Sequence, residues 1–229
     1  MRLRSCSCTP PLPACGTYNL GEVEDYALVV GDPVFCATTP SPADADSDVC
    51  QKGLTLSWYS NMAGGRPDGY RVSLGSDNPP SNVINNLDVG ADTTLEVTAE
   101  LSANTSYFWT VTAYNSDGDA TGCDTWAFTT GADPGVEVIH NRASVDSVFS
   151  CLGNSEVLFA SVSGGAGSNS YMWTGNTALL DFDNKDSVLY TGASVEHNTY
   201  HVRVEDGNGC FGIDSIVMST VPNANAGTI

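Results

Sequence analysis

Eight cysteines, three histidines and 27 aspartates and glutamates are the residues of this chain that could do chemistry. The cysteines stand singly, with no CxxC knuckle among them, so they read as disulfides formed in an oxidising compartment more readily than as a metal cluster. Cys6 and Cys8 with Cys15 are the one grouping close enough in sequence to suggest a metal site instead. The histidines, His140, His197 and His201, have no GxSxG elbow near them and form no recognisable nucleophile and base pattern. His197 and His201 lie four apart, which would make a ligand pair on a helix, but they flank the strand-like Tyr200 and Val202 and read as surface residues. Paired carboxylates for glycoside hydrolysis would arise by chance in so acidic a chain. Asp44, Asp46 and Asp48 in PADADSD alternate as calcium-loop ligands do, and Asp32 or Asp124 could close the shell. The complete EF-hand pattern is missing, and a solvated turn is the competing reading. Asp206, Asn208 and Asp214 around DGNGC are a second calcium candidate, set against a tight Asn-Gly hairpin turn. No catalytic set is assigned: the chain is expected not to be an enzyme, and calcium is the one cofactor its spacing suits.

The elements that must position these residues are short strands. With 23 Gly and 11 Pro in 229 residues and 15% charged side chains, the composition fits many strands joined by turns. Leu54, Leu56 and Trp58 alternate, as do Tyr107, Trp109, Val111 and Ala113, so each set shares one face of a strand. Gly69 to Val72 supplies a middle strand and Trp126 to Thr130 a last one. After the turn-forming Gly131-Ala132-Asp133-Pro134-Gly135 the alternation resumes in Val157 and Phe159, in Tyr171 and Trp173, in Tyr200, Val202 and Val204, and in Ile213. A net charge of -19 repels polyanions, so nucleic acid is an unsuitable partner. No apolar stretch approaches the roughly 20 residues of a membrane helix, so direct membrane insertion is not expected. Arg2-Leu3-Arg4 imitates the start of an export signal, but the proline-rich segment after it does not continue one.

Three resemblances refine this outline. Gly21-Glu22-Val23-Glu24-Asp25-Tyr26, preceded by Cys15-Gly16-Thr17-Tyr18, resembles the closing strands of the GEVED domain, a β-sandwich of secreted proteins in gliding, type IX-secreting bacteria. Residues 32 to 132 are similar to a fibronectin type III domain of the bacterial surface variety. Trp58 would be its core plug, and Leu101 six residues before Tyr107 matches the tyrosine corner, whose phenol hydroxyl bonds back to the preceding loop. Residues 133 to 221 resemble PKD-like and immunoglobulin-like adhesin repeats with Trp173 in the core, and residues 222 to 229 look like the opening of a following repeat. The resemblances imply that residues 1 to 31 close a truncated sandwich and that the chain is cut at both ends. The fold class is therefore all-β, tandem antiparallel β-sandwiches.

On that division Cys151 and Cys210, the two cysteines of the last sandwich, are expected to pair. Cys36 is expected to join Cys123, since the first and last strands of such a domain end near one another. Cys50, Cys6, Cys8 and Cys15 are left unassigned: one of the three N-terminal cysteines could bond to Cys50 across the junction of the first two domains, to the rest of the first domain, or to a neighbouring chain. The acid-hydroxyl-apolar tripeptides at Thr93, Ser147, Ser187 and Ser215 match the pattern that such bacteria use for O-glycosylation, or are ordinary strand-edge positions. The function these features imply is a non-catalytic structural or adhesive component at the outer surface of a bacterium, a rod or fibre that associates with itself or with other surface proteins. The alternative is a carbohydrate-binding or spacer region of a secreted hydrolase, in which case glycans are the partners. A row of exposed aromatics would favour the alternative, but Trp58, Trp109, Trp126 and Trp173 lie on or beside apolar strands and should be core.

Overall fold

The computed structural model describes residues 31–223 and the backbone of residues 2–5 and 22–25. Cys6, Cys8, Cys15 and most of the GEVED-like segment lie outside the described residues. Strands β1 (Arg2–Ser5) and β2 (Glu22–Asp25) pair antiparallel, and β2 carries the Glu-Val-Glu-Asp string itself.

The first sandwich uses β3 (Thr38–Ser41), β4 (Asp46–Val49), β5 (Thr55–Tyr59), β6 (Gly69–Gly75), β7 (Ile84–Asp88), β8 (Thr94–Glu96), β9 (Ser106–Asn115), β10 (Gly118–Asp119) and β11 (Trp126–Thr130). One sheet has the order β3-β5-β8; the other runs β4-β11-β9-β6-β7, with β10 beside β9. This is the strand order of a fibronectin type III domain, with β4 added parallel to the last strand. Period-2 alternation places Leu56 and Trp58 of β5 opposite Tyr70, Val72 and Leu74 of β6 and Trp109 and Val111 of β9, and all are buried. Trp58 meets Tyr70 edge-on with ring centroids 5.6 Å apart, and Trp109 tilts against Trp126 at 4.8 Å. The Tyr107 hydroxyl accepts the Ser102 backbone N–H at 2.9 Å, tying the β8–β9 connection to the core. A disulfide joins Cys36, just before β3, to Cys123, just before β11.

The second sandwich uses β12 (Gly135–His140), β13 (Ala143–Ser144), β14 (Ser147–Cys151), β15 (Ser155–Ser163), β16 (Ser170–Thr174), a 3-10 turn (Thr177–Leu179), β17 (Ser187–Thr191), β18 (Glu196–Glu205) and β19 (Phe211–Val221). Its sheets are β13-β12-β15-β17 and β14-β19-β18-β16, an immunoglobulin-like arrangement in which β14 runs parallel to β19. Trp173, Tyr190, Tyr200, Val202 and Val204 fill the space between them, and the Trp173 indole N–H donates to the Lys185 carbonyl at 2.9 Å. Two apolar alternations take the opposite face from the one expected. On β15 it is Leu158 and Ala160 that are buried, while Val157 and Phe159 are 55% and 41% exposed. On β19 the inward positions are Ile216 and Met218, and Ile213 faces solvent. Both strands carry apolar residues on each face, so which set turns inward is settled by the ladder to the neighbouring strand. Among the described residues no helix is long and apolar enough to cross a membrane.

Candidate functional site

The polar groups that converge most closely lie where the sandwiches meet. Gly131 to Pro134 is the whole connection between β11 and β12, so the loop after β4 and the turn between β18 and β19 are brought against the linker. Asp206 builds that turn. Its buried carboxylate accepts the Asn208 and Cys210 N–H groups at Oδ1 (2.9 and 3.0 Å) and the Ala166 N–H at Oδ2 (2.8 Å), and its own N–H reaches the Cys210 carbonyl at 2.9 Å. The Gly209 φ of +84° closes the loop. Cys210 is thereby held at the pole of the second sandwich, facing Cys50 at the end of β4, and the two form a disulfide.

This bond corrects the expected Cys151–Cys210 pair. Cys151 instead ends β14 as an exposed free thiol, opposite Val221 in the ladder. The physical reason is position: Asp206 keeps Cys210 beside the linker, while β14 places Cys151 in its ladder next to the end of β19, so no turn brings the two together. Beside the disulfide, Gln51 and Asp133 exchange two hydrogen bonds, Gln51 N–H to Asp133 Oδ1 at 2.9 Å and Asp133 N–H to Gln51 Oε1 at 3.0 Å. Asp133 Oδ2 is buried with no hydrogen-bond partner. The two sulfurs and an Asp133 carboxylate oxygen lie within 4.8 Å of one another. Gly212 permits the close approach, because a Cβ there would lie 2.0 Å from the Pro134 carbonyl oxygen.

The calcium candidates are not brought into one shell. Asp44 accepts the Ala127 N–H at 2.9 Å and lines a hollow with Asp124 and Trp126. Asp46 and Asp48, on β4, line a separate open cleft of about 390 Å³ with Cys50 and with Asn208 from the second sandwich. Asp214 is committed elsewhere, its Oδ2 accepting the Val138 N–H at 2.6 Å. DGNGC is the tight turn that competed with a calcium loop. Trp58, Tyr107, Trp109 and Trp173 are all buried, and Trp126 with them. Of the hydroxyls in acid-hydroxyl-apolar tripeptides, Ser147 is exposed, whereas Ser187 and Ser215 are half-buried at strand positions and Thr93 is half-buried in the bend before β8.

Two other polar groupings have chemical geometry. His197 Nδ1 lies 2.7 Å from Ser219 Oγ, the reach of a base and nucleophile, but Ser219 is buried in mid-strand and no described carboxylate hydrogen-bonds the imidazole. His140 Nε2 contacts Glu156 at 2.8 Å, and Glu156 also accepts from Ser150, so the carboxylate is the centre of that group and the serine has no base. On the outer face of the first sandwich, the Tyr114 hydroxyl donates to both oxygens of Asp88 (3.0 and 2.9 Å), and Arg71 lies 4.2 Å over the Tyr114 ring while pairing with Asp119. The Gly90 N–H first, and the Tyr114 hydroxyl second, hold the Asp88 carboxyl below the usual range, while the Asp88 carboxylate pushes the Tyr114 phenol up.

Gln51 and Asp133 have no signature in the sequence beyond their positions. The usable signal was that a Cys-Gln-Lys-Gly turn and a Gly-Cys turn both fall at strand ends next to a four-residue linker.

No protein-family model matches this chain, and no curated protein is similar to it. Among solved structures it is similar to the fibronectin domains of chicken CNTN1 at 14% identity, covering 82% of this chain and 69% of that one, with a TM-score of 0.42. Titin immunoglobulin tandem domains align over 82% of this chain and 98% of theirs at 12% identity and a TM-score of 0.30. A nucleoside hydrolase-related hypothetical protein from Saccharophagus degradans, associated with carbohydrate metabolism, aligns at 13% identity over 40% of this chain, with a TM-score of 0.31; the match spans 26% of that protein's length. The class is that of tandem antiparallel β-sandwiches, one fibronectin type III-like and one immunoglobulin-like, and it stands on the strand order of the two units themselves.

Proposed function

We propose that this chain is a non-catalytic extracellular structural or adhesive segment, a rod or fibre component at the outer surface of a bacterium. The observation that carries the reading is the covalent joint: a four-residue linker and a disulfide between Cys50 and Cys210 bind two sandwiches at their poles. Domains within a chain ordinarily move against one another unless their interface is large and hydrophobic. A chain that needs only to display a site has little use for a bond that couples its domains, whereas a spacer or load-bearing element does. Two disulfides also favour an oxidising location. The four tryptophans are all in the cores and leave no indole face free for stacking on a sugar ring; the exposed aromatic rings are Phe35 and Tyr59 on the first sandwich and Phe149, Phe159 and Phe182 on the second. O-linked sugar at the exposed Ser147 accompanies the rod in this proposal.

Negative-stain electron microscopy of material isolated from the native source, with and without reductant, tests the proposal. Filaments or stiff rods repeating at one or a few sandwich lengths are expected. Dispersed, freely bent particles under both conditions, combined with specific retention on a glycan column, would replace it with the sugar-binding reading.

A further inference from the structure

We propose that the Cys50–Cys210 bond is a redox latch that decides whether the two sandwiches move as one body, and that the Asp133 carboxylate slows its opening by thiols. This goes beyond the surface role, because it concerns the joint wherever the protein works.

The latch follows from what else crosses the joint. Each of the four sandwich sheets is made of strands from one sandwich alone, so among the described residues no ladder couples the two. Among the described hydrogen bonds, the linker holds the first sandwich through the two that Gln51 and Asp133 exchange and the Gly131 N–H to the Val49 carbonyl at 3.0 Å, and the second through the Gly165 N–H to the Ala132 carbonyl at 3.2 Å. Phe211 lies against Gly53, where a Cβ would stand 3.4 Å from its ring. These are small, mostly polar contacts of the kind that permit domain motion. The disulfide spans 160 residues of sequence and closes the joint covalently.

Access and charge decide how it opens. Cys50 is half-buried and lines the open cleft beside Asp46 and Asp48, while Cys210 is 3% exposed. An incoming thiolate therefore attacks Cys50 Sγ. The S–S bond breaks, its electron pair passes to Cys210 Sγ, and that thiolate takes a proton from water. The second sulfur of a dithiol reagent then displaces Cys50, leaving two thiols on the protein and one disulfide in the reagent. Negative charge accumulates on Cys210 Sγ at the place where an Asp133 carboxylate oxygen sits within 4.8 Å of the sulfurs, in a carboxylate whose Oδ2 is buried and unpartnered. A carboxylate there repels the attacking thiolate and makes Cys210 a poorer leaving group. Asp133 is thus a positioning and shielding residue for the bond, in addition to its pairing with Gln51.

The test uses the full chain, a graded series of dithiothreitol, and trapping of new thiols by alkylation with peptide mass spectrometry, which separates Cys50 and Cys210 from Cys36 and Cys123. Asp133→Asn keeps a carbonyl acceptor for the Gln51 N–H and removes the charge, and it is expected to speed opening of the Cys50–Cys210 bond by about fivefold at neutral pH. An unchanged rate would overturn the shielding role. In small-angle scattering, Cys50→Ala/Cys210→Ala, which retains Cys36–Cys123, is expected to show a broader range of maximum dimensions than the oxidised wild type. Cys36→Ala/Cys123→Ala is expected to keep the wild-type profile. Identical profiles for the wild type and Cys50→Ala/Cys210→Ala would overturn the latch, and a filament search that fails would leave both results standing.

Discussion

Tyr107 illustrates how a single side chain joins a loop to a core. Its ring stacks near Phe128 with centroids 5.8 Å apart, and its hydroxyl accepts the Ser102 N–H. Tyr107→Phe keeps the ring and strands that N–H, so a loss of about 1–2 kcal/mol is expected in urea unfolding of the first sandwich, with unchanged m-value. An unaltered midpoint would show that the corner carries no energy. Asp88 makes a second residue-scale prediction. Because its carboxyl is held below the ordinary range in the folded state, its stabilising effect is present above the unfolded carboxylate value of about 4 and is lost as pH falls through the folded one. Asp88→Asn should therefore lower the unfolding midpoint at neutral pH and converge with the wild type in strong acid. A gap of equal size at both ends of a pH series would contradict this.

At the scale of elements, β15 separates two readings of one strand. The run Val157-Leu158-Phe159-Ala160 offers an apolar residue to each face, and the ladder with β12 and β17 turns Leu158 and Ala160 inward. Leu158→Ala should cost about 2–5 kcal/mol in the second sandwich and Phe159→Ala much less, measured by denaturant unfolding; the reverse order would place the strand one residue out of register. This strand also marks where sequence reading stops. The core around Trp58 was legible because Thr55 and Ser57 alternate with Leu54, Leu56 and Trp58, and along β9 Thr110 and Thr112 alternate with Trp109, Val111 and Ala113, which leaves one choice of face. In β15 and around Ile213 the pattern is apolar or polar on both faces, and only the neighbouring strand can choose. Cys36–Cys123 could be anticipated because its partners close one domain. The partner of Cys50 could not, because it depends on how two domains stack, and domain-by-domain cysteine counting gave Cys210 to Cys151. The calcium candidates failed to converge for a related reason: Asp44 and Asp206 are consumed by backbone N–H groups that turns would otherwise leave unpaired.

For the whole molecule, two small cores are linked by one short connection and one covalent bond, and the chain carries a net charge of -19. That charge opposes lateral association at low ionic strength and does so less as salt screens it. If the chain assembles through its exposed strands, light scattering should report more association at about 0.5 M salt than at about 0.01 M, where the screening length is several times longer. Association that weakens with salt would point to attraction between opposite charges instead. The most direct measurement of the surface-rod reading is immunogold electron microscopy of intact, unpermeabilised source cells with antibody against the second sandwich. Gold on the outer surface or along filaments extending from it is the expected result; gold appearing only after the envelope is opened would contradict the reading.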